Sequence, residues 1–166
     1  MDAETLKTLQ APLKAKYQEN PEAAVITLKA CGELGSEQLV CSVETGKALV
    51  EAGLHPATGG DGTQACSGDM LLQALVACAG VTLAAVATAL EIDLKGGRVH
   101  AEGDLDFRGT LGVDKKVPVG FRDIRLSFDL DTDADGEKIA TLMKLTERYC
   151  VVYQTLISPP PVTVSY

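Results

Sequence analysis

Two of the five cysteines in this 166-residue chain fall on apolar, helix-periodic stretches, and together they carry the strongest chemical signal in the sequence. Cys78 lies within Ser67 to Ile92, reading SGDMLLQALVACAGVTLAAVATALEI, and Cys150 lies on the inward stripe of a second periodic stretch that begins near Ala134. Burial as small core residues accounts for each thiol taken alone. A pair of thiols near a cation is a different object. The cation stabilises the nucleophilic thiolate, and the second sulfur resolves the first once it has been oxidised. Both readings stay open at this level. The remaining cysteines carry weaker signals. Cys31 and Cys41 flank a Gly-containing turn and are given no role, although they could face each other across a hairpin. Cys66 stands in a loop as an exposed bystander or a competing resolving thiol.

Other candidate chemistries fade on inspection. An odd number of cysteines without a CxxC or a Cys/His cluster argues against a disulfide framework and against structural zinc. The acidic run Asp131 to Asp135 with Gly136 resembles a calcium loop, but Leu142 stands where the closing Glu belongs, so helix capping is expected and no metal is predicted. The GGDG within Leu54 to Gly68 lacks the residues that would complete a phosphate-binding loop. Net charge is −8 with no basic stripe, which excludes a nucleic-acid partner. His55, in the same loop, is expected to be solvent-facing or structural, and neither histidine is placed as the base of a cysteine hydrolase.

These residues need elements to position them. Met70 to Leu90 carries no charge and no Pro, which predicts a core helix buried nearly all round and capped by Ser67 or Asp69. The run is long enough to span a membrane, yet it is Ala-rich, contains Gln73, Thr82 and Thr88, and is flanked by acidic residues, so no membrane is predicted. Upstream, Ala3 to Tyr17 reads as a helix interrupted by Pro12. Ala24 to Cys31 and Gln38 to Val43 read as a hairpin about a Gly32 to Ser36 turn, and Leu54 to Gly68 reads as a functional loop. Downstream, Arg98 to Arg108 and Val119 to Leu130 read as two long antiparallel strands, the second with a bulge between Phe121 and Ile124. One helix from Ala134 past Cys150 then buries Ile139, Leu142, Met143, Thr146, Cys150 and Tyr153, and a final strand, Val162 to Tyr166, closes the chain. The length fits a single domain over 1–166. The N-terminal sequence lacks a hydrophobic signal core, which points to a reducing cytoplasm.

The segments GDMLLQALVACAGVTLAAVA and LTERYCVVYQTL, in this order and spacing, resemble the two cysteine-bearing helices of the OsmC/Ohr family, and the likeness spans most of the chain. The resemblance implies an α+β fold, two strongly curved antiparallel sheets around two central helices, in an intertwined homodimer with its sites at the subunit interface. It implies thiol-dependent reduction of organic hydroperoxides, and of hydrogen peroxide more weakly. Cys78 would be the peroxidatic thiolate and Cys150 its resolving partner, re-reduced by a dithiol or lipoyl-type reductant without a cofactor. Family peroxidases hold the thiolate with an N-terminal Arg and a carboxylate near the start of the central helix. This sequence has no Arg before Arg98, and Gly68 occupies the carboxylate's place with Asp69 one position on. Lys14, Lys16 or Arg148 could supply the cation, with Asp69 as the carboxylate, while Phe107, Phe121 and Tyr149 could wall an apolar pocket. The missing arginine leaves a rival reading, a non-peroxidase of the same fold binding a small apolar or thiol-reactive ligand at the dimer interface.

Overall fold

The computed structural model describes residues 2–5, 8, 10–11, 19, 32–34, 40–44, 49–112 and 114–166, in an α+β arrangement with two sheets. In chain order the elements are β1 (Gly32–Leu34), β2 (Val40–Glu44), β3 (Leu49–Gly53), a 3-10 turn (Pro56–Thr58), β4 (Ala65–Cys66), α1 (Ser67–Ala89), β5 (Gly96–Asp104), α2 (Phe107–Thr110), β6 (Asp123–Asp131), α3 (Gly136–Tyr149) and α4 (Val151–Ile157). They group into two compact units interleaved in sequence. One comprises Met1–Ile26, Ala74–His100 and Ser127–Tyr166, and the other Thr27–Gln73 and Ala101–Leu126.

The second unit is built on a four-stranded sheet of order β1-β2-β3-β4. β1, β2 and β3 pair antiparallel, and the two-residue β4 runs parallel to β3, setting Ala65 opposite Ala52 and Cys66 opposite Gly53. The expected hairpin is present with its register moved. Gly32–Leu34 is strand rather than turn, because ladder hydrogen bonds outweigh the weak strand propensity of Gly. Cys41 consequently lies opposite Leu34, while Cys31 and the strand expected from Ala24 fall outside the described residues. The patch before Gly53 is a strand in its own right, and the loop after it contains the 3-10 turn and β4. The bulge expected near Phe121 is absent because β6 begins at Asp123, after which burial alternates residue by residue. The strand expected to reach Arg108 stops at Asp104. There Asp106 caps the single turn α2, its carboxylate accepting from Arg108 N–H at 3.2 Å. The Arg108 guanidinium on the same carboxylate pulls its pKa down to about 2.

The first unit carries the apolar core. Leu83, Ala87 and Ile92 pack with Leu142, surrounded by Val86, Leu94, Phe128, Leu130, Ala134 and Met143. Helix α1 buries one stripe, Leu75, Ala79, Leu83 and Ala87, at four-residue steps. All-round burial is therefore corrected within the single chain: Val81, on another face, is 73 % exposed. The helix ends where Glu91 turns left-handed at φ 54°, letting Ile92 N–H reach the Ala87 carbonyl at 2.9 Å. β5 starts at Gly96, two residues before the strand expected from Arg98. Lys95 N–H donates to Asp131 carbonyl at 2.9 Å and, in the other unit, Arg122 N–H to Asp104 carbonyl at 2.8 Å, pairings that make β5 and β6 antiparallel. Asp135 caps α3, accepting from Lys138 N–H at 2.8 Å, as its acidic run predicts. One uninterrupted helix past Cys150 is not what forms. Cys150 adopts an extended conformation, ψ 108°, and separates α3 from α4. The final residues form no strand, and Val162, Val164 and Tyr166 are exposed.

Leu142 is fully buried at the centre of this core, so Leu142→Ala removes both transfer energy and packing. Its expected cost is about 2–5 kcal/mol. Urea denaturation followed by far-UV circular dichroism measures it, and a loss below about 1 kcal/mol would show that the cluster does not hold the unit together.

Candidate active site

Cys78 and Cys150 are brought together within the first unit. Cys78 lies three turns into α1, half-buried, one position before the buried Ala79. Cys150 is buried, in line with Leu142 and Thr146 at four-residue steps along α3. Its N–H still closes α3 by donating to Thr146 carbonyl at 2.9 Å, and its carbonyl begins α4 by accepting from Gln154 N–H at 2.9 Å. The residues between, Val151, Val152 and Tyr153, are the first turn of α4, whose N–H groups have no partner within their own helix.

Those free N–H groups shape the site. Burial, the largest influence on the Cys78 thiol, pushes its pKa up. The Val152 N–H, the Cys150 thiol, the Val151 N–H and the Thr82 hydroxyl act against burial from beside the sulfur, and together they bring it below the ordinary thiol value. For Cys150 burial also dominates and pushes the pKa up; the Tyr153 and Val152 N–H groups act against it, while the shared hydrogen bond and negative charge of Cys78 raise it further. The two environments drive the two pKa values apart. Cys78 is thus the more readily ionised of the two thiols and Cys150 the less. Thr82, one turn beyond Cys78 on α1, and the two valine amides also stand beside the sulfur. For the threonine, the i, i+4 spacing from Cys78 was the available signal.

Among the described residues, none of the groups that shift the Cys78 thiol is a cation. Arg148 is in the last turn of α3, its guanidinium 5.5 Å from the ring centre of Tyr149, which is itself 57 % exposed. Lys14 and Lys16 fall outside the described residues. Asp69, in the first turn of α1, is likewise not among the groups bonded to the thiol.

Asp69 instead lines a cavity of about 330 Å³ in the second unit, with His55, Cys66, Gly68, Leu72, Gly103, Asp104, Leu105, Phe107 and Phe121. His55 is fixed there rather than solvent-facing. It caps the 3-10 turn, its Nδ1 accepting from Ala57 N–H at 3.0 Å, and its ring stacks on Phe107 with centroids 4.8 Å apart. Phe121 lies flat on Gly103, where any Cβ would come within 2.5 Å of the ring, so glycine is required at that position. The expected aromatic wall is therefore divided: Phe107 and Phe121 line this cavity, and Tyr149 does not.

Comparison with known proteins places this arrangement. The chain is similar in structure to an OsmC-like protein from Mycoplasma pneumoniae, with TM-score 0.66 and 16% identity over 81% of this chain and 89% of that one. Organic hydroperoxide resistance proteins give comparable matches. The Legionella pneumophila protein has TM-score 0.62 and 17% identity, over 81% of this chain and 92% of its own. The Elizabethkingia anophelis protein has TM-score 0.65 and 14% identity, over 82% and 91%. No curated protein is close enough in sequence to match. At these identities the likeness shows the fold. The family model described as OsmC-like protein matches residues 60–165, a segment that contains α1 and with it the one described helix long and apolar enough to cross a membrane. With that segment running from the entry loop through both cysteine-bearing helices to the C-terminal tail, the chain belongs to the OsmC-like protein family.

Proposed function

We propose that this protein is a cytoplasmic thiol-dependent peroxidase of the oxidative stress response, reducing organic hydroperoxides, and hydrogen peroxide more weakly, through Cys78 and Cys150. What carries the reading is the proximity of Cys78 and Cys150, which displaces their pKa values in opposite directions. The Cys78 thiolate attacks one peroxide oxygen: an S–O bond forms, the O–O bond breaks, and the departing alkoxide takes a proton to leave as an alcohol. Cys150, the neutral thiol beside it, supplies that proton. As a thiolate it then attacks the sulfenic acid, forming the disulfide and releasing hydroxide, which water protonation completes. An external dithiol or lipoyl-type reductant restores both thiols by exchange. No metal or cofactor takes part.

The same reading includes one domain over 1–166, whose two units are interleaved in sequence, and a homodimer. The dimer is supported by the apolar positions of α1 that the single chain leaves exposed, Leu71 and Val81, on the helix that carries Cys78. The fold neighbours named organic hydroperoxide resistance proteins support the substrate class of this reading. One observation favours a second reading. Among the described residues no cation acts on Cys78 to hold a peroxide there, which suits a non-peroxidase binding an apolar or thiol-reactive ligand at the dimer interface.

Stopped-flow reduction of cumene hydroperoxide by the reduced protein separates the two. In the peroxidase, Cys78→Ser brings the rate down to background, whereas Cys150→Ser keeps one fast turnover and leaves a sulfenic acid that dimedone traps. A wild-type reaction no faster than free cysteine, with both thiols still reduced afterwards, would leave the binding protein.

The pH profile tests the hydrogen bonds. Because Cys78 lies below the ordinary thiol value, its thiolate, and the peroxide rate with it, should rise with pH earlier than for a free thiol and fall away as pH drops through that lowered value. Thr82→Val removes a donor to the anion and should move the rising limb to higher pH. The rate at neutral pH should fall about fivefold, equivalent to a net hydrogen bond of about 1 kcal/mol. An unchanged limb would remove Thr82 from the site.

A further inference from the structure

The cavity of the second unit holds a nucleophile that the peroxidase chemistry does not use. Cys66 is pinned opposite Gly53 by the β4 pairing and is half-buried among the cavity's walls. Its sulfur stands 3.6 Å from where a Cβ on Gly68 would be, and the Phe121 ring reaches 3.4 Å of the same point. A side chain at position 68 would therefore make only ordinary contacts, and glycine leaves that floor open. At about 330 Å³ the space is at the lower end of the range for small-molecule sites, roughly 300–1,000 Å³.

The lining selects the ligand. Phe121 and the stacked pair of Phe107 and His55 favour a flat, apolar molecule. Asp69 lines the same space in a chain of net charge −8, which disfavours an anion, while Asp104 is paired with Arg125. The imidazole adds direction. Its Nδ1 accepts the Ala57 N–H and so carries no proton, which places the proton of the neutral ring on Nε2 as a donor. A donor calls for an acceptor on the ligand, and a thiol calls for an electrophilic carbon. An α,β-unsaturated carbonyl compound presents both, conjugated and coplanar.

The geometry points to a second thiol site, in which Cys66 captures small, neutral α,β-unsaturated ketones or aldehydes while His55 holds their carbonyl oxygen. The sulfur forms a bond to the β-carbon, the carbon–carbon π pair shifts to the α-carbon, and that carbon takes up the proton the thiol gives up. Nothing is oxidised and nothing leaves, so the product is one covalent adduct per site. The site uses neither Cys78 nor Cys150 and does not rest on the peroxidase reading.

Incubation with 2-cyclohexenone, followed by intact mass and peptide mapping, tests this directly. Cys66 should be the modified residue, at a rate at least about tenfold above N-acetylcysteine at the same pH, a transition-state difference that a fixed donor and a shaped site supply. His55→Phe, which keeps a ring against Phe107, should lower the rate with the enone about tenfold, while leaving modification of Cys66 by methyl methanethiosulfonate, which needs no carbonyl donor, within about twofold. Gly68→Leu fills the floor without touching His55 and should also slow the enone. Modification of Cys66 no faster than N-acetylcysteine, adducts confined to Cys78, or an equal effect of His55→Phe on both reagents would overturn the proposal.

Discussion

The thiol pair depends on one constraint, the interruption of a helix at a residue that must serve both of its halves. Cys150 ends α3 with its N–H and starts α4 with its carbonyl, and its extended backbone leaves the N–H groups of Val151 and Val152 free of any helical acceptor. Those groups meet the Cys78 sulfur. A continuous helix through this stretch would bond its own amides internally and present none of them. The break therefore converts backbone donors, which every residue possesses, into an anion-stabilising feature placed by chain geometry rather than by a particular side chain.

This also explains why the core and the chemistry cannot be pulled apart. Leu142 and Thr146 set the depth of α3, and Cys150 continues their buried line. Thr146 meets the cost of its own buried hydroxyl by donating to the Leu142 carbonyl at 2.8 Å, so the approach to Cys150 brings no unsatisfied polar side chain with it. On the facing helix, the four-residue stripe of Leu75, Ala79, Leu83 and Ala87 fixes the rotation of α1 and hence the direction of Cys78 and of Thr82 one turn on. Burial raises both thiols alike. Backbone amides act on both sulfurs, and the difference comes from the shared interaction, which lowers Cys78 and raises Cys150, and from Thr82 beside Cys78.

What the sequence made legible follows the range of the interactions involved. The long apolar run gave α1 almost to its first residue, and the acidic run gave the Asp135 cap, because periodicity and capping are local. The thiol pair was legible as two inward positions on two helices. The break at Cys150 was not, since an apolar stripe continues across it and no Pro or Gly marks it. β3 was missed for the opposite reason: Leu49–Gly53 has little pattern of its own and is a strand because β2 pairs with it. Phe107 and Phe121 read as candidate pocket walls and His55 as a loop residue, and their meeting in one cavity depends on the β3–β4 pairing and the turn at Asp106, neither of which has a period to read.

The missing arginine then takes on a different physical meaning. A guanidinium does two things at a peroxidatic thiolate: it stabilises the charge and it grips the incoming oxygens with a planar fork. Backbone amides and a threonine hydroxyl can replace the first, because hydrogen bonds to an ionised sulfur in a partly desolvated site are stronger than neutral ones and need no net charge. They do not replace the second once they are committed to the sulfur. A site built this way stabilises its nucleophile well and directs its substrate poorly, and since amide dipoles are fixed and partly buried it should be insensitive to ionic strength where an exposed arginine would be screened. In the proposed peroxidase, substrate discrimination then falls to groups other than the donors that hold the sulfur.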